Sequence, residues 1–174
     1  GGNAGCIICA DANLEYAAER CVLGGYAYAG QSCISVQRVF VEASAYEKFC
    51  AELVPRVKKL KVGGVLDEAT DVGPMISEEA ARRAEEWIAE AVHGGAKILC
   101  GGTRHGATLT PAVLTHTRPE MRVNCQEIFA PVMTVEAFRE FDEALAKVNH
   151  SPFGLQAGLF TRDFARISRV FETL

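Results

Sequence analysis

No stretch of the 174 residues approaches the roughly 18 consecutive apolar residues that a membrane-spanning helix needs, which excludes a helical span and a membrane partner of that kind. Gly1 to Ala10 carries no basic n-region, so the opening does not read as a secretory leader. Excess positive charge is missing as well. Eighteen Lys and Arg stand against 22 Asp and Glu, a net charge of −4. The one basic cluster, Arg56-Val57-Lys58-Lys59-Leu60-Lys61, falls on the exposed face and last turn of a predicted helix, where cations suit the dipole. A nucleic-acid partner is therefore not expected. Zinc-site pairing is absent: Cys6-Ile7-Ile8-Cys9 is formally a C-x-x-C, but it has no second C-x-x-C and no H-x-x-x-H to complete it. Two small residues in a buried strand are the expected reading, and no metal is predicted. Repeats, low-complexity tracts and interior linkers are also lacking, so one main core is expected.

What is present is an ordinary globular composition, 49% apolar and 23% charged, long enough to bury a core. The seven cysteines are odd in number and sit mostly inside apolar patterns, which favours free thiols in a reducing cytoplasm over a disulfide framework. The chain opens on Gly-Gly without Met and closes on "FARISRVFETL", an amphipathic pattern without a terminating cap. It therefore reads as a fragment of a longer protein.

Strands and helices alternate. After the apolar run Gly5 to Ala10, Asn13 is placed to cap a helix with Leu14, Ala17, Ala18, Cys21 and Val22 on one face, which Gly24-Gly25 weakens and Gly30 ends. "VQRVFV" is β-branched enough to be a strand. Ser44 to Glu47 has the form of a capping box for a helix carrying Tyr46, Phe49, Leu53, Val57 and Leu60, with a kink expected at Pro55. Val62 to Ile76 reads as a surface loop, and Ser77 caps a helix with Ala81, Ala84, Trp87, Ile88, Ala91 and Val92 inward. Ala96 to Cys100, the segment around Thr108 to Leu114, the run broken by Pro131, and "GLQAGLFT" are strand-like. Asp142 to Val148 and Phe164 onward are helical. This spacing predicts an α/β domain with a largely parallel sheet.

A nucleophilic thiol must be accessible and held where the thiolate is favoured. Cys21 and Cys50 lie in helical stripes, Cys100 ends a strand, and Cys6 and Cys9 sit in the apolar opening. Cys125, beside a polar turn, remains open. Cys33 in "GQSCISVQRVFV" is flanked by Gly30, Gln31 and Ser32 at a helix-to-strand junction, the kind of place where α/β sheets present catalytic groups. Any of His93, His105, His116 or His150 could pair with it, which would make a cysteine hydrolase. A noncatalytic interaction domain of the same fold is a further alternative.

"GQSC" before a strand, then "EIFAPV", then "NHSPFGLQAGLFTRD", in that order, resembles the catalytic domain of the aldehyde dehydrogenase superfamily from end to end. The opening "GGNAGCIICADAN" resembles the family's E-L-G-G segment without its glutamate, the general base. The resemblance implies a three-layer Rossmann-like catalytic domain over residues 1–174, lacking the N-terminal cofactor domain and a C-terminal extension. It implies that Cys33 attacks the aldehyde to give a thiohemiacetal, that hydride passes to the nicotinamide of NAD or NADP, and that the resulting thioester is hydrolysed to a carboxylic acid. Backbone N–H of Cys33 and an asparagine expected upstream of Gly1 would stabilise the oxyanion. Glu127 matches the glutamate that binds the nicotinamide ribose hydroxyls, and Phe129 the aromatic near the nicotinamide. Taken alone, those two read as a solvated turn carboxylate and a core Phe. Ala130 departs from the family's usual Gly; a positive φ would be costly for Ala, so the turn is expected to differ or to use a negative φ. The flank "CISVQR" resembles the branch acting on small aldehydes such as lactaldehyde, glyceraldehyde phosphate or phosphono- and sulfoacetaldehyde. A small-molecule aldehyde, a cytoplasmic location, a homo-oligomer for the full-length protein and no activity for the isolated fragment complete the expectations.

Overall fold

The computed structural model describes Gly1–Leu174 as a six-stranded sheet flanked by helices, with a separate two-stranded ribbon. The chain runs β1 (Ala4–Ile8), α1 (Leu14–Tyr26), β2 (Val36–Glu42), α2 (Tyr46–Lys59), α3 (Glu78–His93) and β3 (Lys97–Cys100). The ribbon strands β4 (Arg104–His105) and β5 (Thr108–Leu109) follow, then β6 (Ala112–Thr115) and the short α4 (Arg122–Cys125). Last come β7 (Val132–Phe138), α5 (Phe141–Asn149), β8 (Ala157–Phe160) and α6 (Phe164–Thr173). The strand order is β3-β6-β7-β2-β1-β8. Only the β3–β6 pair is antiparallel, so the sheet is largely parallel, as the alternation predicts.

Burial on both faces explains why the central strands read as unbroken apolar runs. Cys6 and Ile8 of β1, with Val39 and Val41 of β2, face the large cluster formed with α1, α2 and α3. Ile7 and Phe40 face a smaller one with Phe138, Leu145 and Val148. Phe49, Leu53 and Val57 are the buried stripe of α2, and each such side chain contributes roughly 1.5–3 kcal/mol.

Asn13 caps α1, its side chain accepting from Tyr16 N–H, and Ser77 caps α3 in the same way through Ala80 N–H. The capping box at Ser44 does not form. Ala43–Ala45 is instead a 3-10 turn, and α2 starts from Ala45 with no side-chain cap. Val92, expected inward, is exposed, because the buried stripe of α3 ends at Ala91. After α1 the chain enters a left-handed turn, Tyr28, Ala29 and Gly30 all having positive φ (53°, 55° and 67°). Only Gly30 takes this shape without steric cost.

Candidate active site

The site is assembled by the segments that precede strands, not by those that follow them. Gly1-Gly2 leads into β1, Cys33 into β2, Glu127 and Phe129 into β7, and Phe153 into β8. Because β1, β2, β7 and β8 are parallel, these segments share the amino-terminal edge of the sheet. Cys33 thus lies where the sequence puts it, at a helix-to-strand junction, which is the amino-terminal end of β2 and not the carboxyl end at which many open α/β sheets hold their ligands.

Cys33 stands at the tip of a turn closed by Ser35 N–H donating to the Ser32 carbonyl at 3.0 Å. The turn is tied to its surroundings on both sides. Ser35 Oγ donates to the Gly25 carbonyl at 3.1 Å, and Gln31 Oε1 accepts from Ile76 N–H at 2.8 Å. Of the seven free cysteines Cys33 is the one classed as exposed. Burial pushes the thiols of Cys9, Cys50 and Cys100 up from their ordinary value, and Cys6 rises through its contact with Cys21 Sγ and through burial. Cys21 is buried, and half-buried Cys125 sits with its Sγ against the Glu120 carbonyl at 3.4 Å. Accessibility thus favours Cys33.

Gly2 joins the cysteine to the carboxylate. Its N–H donates to Glu127 Oε1 at 2.7 Å, and a methyl group built on it would overlap the Cys33 carbonyl. A methyl on Gly1 would meet the Glu127 carboxylate and the Phe153 ring. Gly30 lies in the same close contact with the Ala130 carbonyl. The Gly-Gly opening and the three motifs of the sequence therefore meet in one place. Ala130 keeps a negative φ; the left-handed residue is its neighbour Phe129, at 51°, with 37% of its surface exposed. An aromatic held in a conformation that costs about 1 kcal/mol or more and turned toward solvent does not read as a core Phe.

The segment before Glu127 hangs from two buried amides that the sequence reading passed over. Gln37 Nε2 donates to the Val123 and Gln126 carbonyls, each at 2.8 Å, and Asn3 Nδ2 donates to the Asn124 and Gln126 carbonyls at 2.7 and 3.1 Å. Arg38, on the opposite face of β2, reaches the Asn3, Lys147 and Val148 carbonyls, and burial lowers its pKa to about 10. The signal was a polar triad, Gln37 and Arg38 within the otherwise apolar β2 and Asn3 just ahead of the apolar β1.

No histidine side chain hydrogen-bonds Cys33. His93 ends α3, His105 lies in β4, and His150, beside the end of α5, lines a cavity of about 420 Å³ with Arg38, Glu136 and Lys147. That arrangement lends no support to a cysteine-hydrolase dyad. Among all residues no cluster of metal-ligating side chains forms, and no helix is long and apolar enough to cross a membrane.

An accessible cysteine and an anchored carboxylate thus lie on either side of Gly2, at one edge of a mainly parallel α/β sheet. Residues 1–174 match the aldehyde dehydrogenase family model, and the chain belongs to that family. It is 47% identical over 163 residues to a 3-sulfolactaldehyde dehydrogenase of Priestia megaterium, covering 94% of this chain and 34% of that protein. It is 37% identical to the cytosolic aldehyde dehydrogenase 1 of Rattus norvegicus, over all of this chain and 35% of that one. Among solved structures, aldehyde dehydrogenase 21 from Physcomitrella patens, in complex with the product succinate, superposes with a TM-score of 0.96 at 41% identity, covering 99% of this chain and 36% of that one. Betaine aldehyde dehydrogenase from Staphylococcus aureus, in complex with NAD+, gives 0.95 at 37% identity over 100% and 36%. The chain spans about a third of the length of the relatives it matches.

Proposed function

We propose that residues 1–174 are catalytic-domain sequence of an NAD- or NADP-dependent aldehyde dehydrogenase in which Cys33 is the nucleophile and Glu127 and Phe129 hold the cofactor. The observation that carries this reading is the meeting of the Cys33 turn, the Glu127 carboxylate and the Phe153 ring around Gly1-Gly2, with Phe129 two residues beyond Glu127 in the chain. The residues fit the group: a half-buried carboxylate accepts hydroxyl hydrogen bonds, and an exposed Phe two residues on offers a flat apolar face. The bound cofactor supplies the hydride acceptor. Cys33 forms the carbon–sulfur bond to the aldehyde and holds the acyl group as a thioester until water releases the acid. The backbone N–H of Cys33 would contribute to stabilising the developing oxyanion. Both cofactors occur among relatives, NAD+ in the Staphylococcus aureus structure and NADP+ in the name of an Escherichia coli succinate-semialdehyde dehydrogenase that is 35% identical.

The substrate is a short polar aldehyde. Support comes from the flank "CISVQR" and from relatives named for sulfolactaldehyde, lactaldehyde and aspartate semialdehyde, the last two 40% and 41% identical to this chain. A cytoplasmic site and a homo-oligomer complete the proposal; size and location of the full-length protein test them. The deciding assay is an aldehyde panel with each cofactor on the full-length protein. Cofactor reduction confined to short polar aldehydes supports the reading, and cofactor-independent ester or amide hydrolysis would replace it with the hydrolase.

Within the site, Glu127→Gln should weaken cofactor use more than it affects Cys33 alkylation, because the carboxylate accepts hydroxyl bonds and takes no part in acylation. Losing charge-assisted bonds of this kind costs about 1.5–3 kcal/mol. Initial rates against cofactor concentration measure the loss, and unchanged cofactor kinetics would remove Glu127 from the site.

A further inference from the structure

We propose that Gln37, seconded by Asn3, is the positioning residue that sets the Glu127 carboxylate relative to Cys33; the inference rests on the reading of Glu127 as a cofactor contact. Gln37 is only 4% exposed and points from β2 on the same side as Val39 and Val41, where an apolar residue would pack without any polar cost. A buried amide is tolerated only when its bonds are made. All of those it makes go to one segment: Nε2 donates to the Val123 and Gln126 carbonyls, and Oε1 accepts from Ile128 N–H at 3.2 Å. Gln126 and Ile128 flank Glu127 in the chain, so the side chain grips the backbone on both sides of the carboxylate residue.

Asn3 adds a second grip on the Gln126 carbonyl and one on that of Asn124. It is 5% exposed and its Oδ1 has no partner, so it is placed for its donors. Val123, Asn124 and Gln126 lie at the end of α4, where the last carbonyls of a helix lack partners inside it. A four-residue helix cannot hold a rigid end by itself. The two amides supply the missing donors and fasten that end to β1 and β2. Because Gln37 lies in the strand that begins just after the Cys33 turn, the grip couples nucleophile and carboxylate through a rigid element. The Gln of "CISVQR" therefore spends its side-chain bonds on the backbone around Glu127.

The test compares Gln37→Leu, Glu127→Gln and the double variant in the full-length protein, reading cofactor KM, kcat and the rate of Cys33 alkylation by iodoacetamide. Gln37→Leu should raise cofactor KM about tenfold, with kcat within about twofold and alkylation unchanged. The double variant should be no worse than Glu127→Gln alone, since both act through one carboxylate. Gln37→Glu should fall between, and its KM should approach the parent's as pH falls, because only the neutral acid can donate to a carbonyl. If Gln37→Leu does not fold, that pH-dependent recovery carries the test. A raised KM in Glu127→Gln with parental KM in both Gln37 variants would overturn the positioning role and leave the cofactor reading intact. Parental KM in Glu127→Gln would overturn both. Slower alkylation and lower kcat at unchanged KM would make Gln37 a support of the Cys33 turn instead.

Discussion

Cys33→Ala should abolish aldehyde oxidation by the full-length protein, lowering kcat/KM by at least about a thousandfold while the fold survives. The nucleophile is the one group in the proposed chemistry that neither water nor a neighbouring side chain replaces at comparable reactivity, and loss of a covalent nucleophile leaves only binding and polarisation. The fold is spared because the thiol is exposed and the turn that carries it is closed by backbone, Ser35 N–H to the Ser32 carbonyl. Exposed substitutions of this type change stability by about 0.5 kcal/mol or less. Steady-state rates and a thermal melt of the same preparation make the comparison. Activity in Cys33→Ala within tenfold of the parent would move the nucleophile elsewhere, with half-buried Cys125 the next to examine.

The second large effect is expected from a single methyl group. Gly2→Ala places a Cβ on the Cys33 carbonyl, a backbone atom that cannot swing aside. Either β1 or the Cys33 turn must move, and the Gly2 N–H to Glu127 bond moves with it. A displacement of about 1 Å at reacting groups costs on the order of a hundredfold in rate, and overpacking costs about 1–3 kcal/mol in stability. The expected result is a hundredfold lower kcat/KM with a melting temperature only several degrees lower. Gly1→Ala is the natural control. Its methyl meets the Glu127 carboxylate and the Phe153 ring, ends of side chains that can rotate, so its loss should be smaller and concentrated in cofactor KM. Equal activity in Gly2→Ala and the parent would mean that the close approach of Gly2 to Cys33 is not part of the working site.

How far the sequence could be read depended on whether the signal was local. Caps such as Asn13 and Ser77 and stripes such as Phe49, Leu53 and Val57 are set by neighbours within a few residues, and the structure agrees with them. The Ser44 box failed because a 3-10 turn took up the residues that were to form it. The left-handed run Tyr28–Gly30 was invisible because two of its three residues are not glycine. The run ends where Gly30 packs against the Ala130 carbonyl, a contact between residues distant in sequence. Asn3 and Gln37 escaped notice for the same reason. Gln37 sits in a run that reads as strand and Asn3 just ahead of one, and the role of each appears only when the 123–128 segment is brought against it. Cys33 was legible at the amino-terminal end of its strand, but that the four segments share one edge of the sheet follows from strand order and direction, which no single motif carries.

The most direct test of Cys33 as the nucleophile is competitive labelling of the seven thiols. The protein is treated with limiting iodoacetamide and mapped by peptide mass spectrometry, in the full-length form with and without aldehyde and cofactor. Label should fall on the peptide carrying Cys33 ahead of the other six and should diminish when aldehyde and cofactor are present. Preferential labelling of Cys125 or Cys100 with Cys33 left free would contradict the assignment.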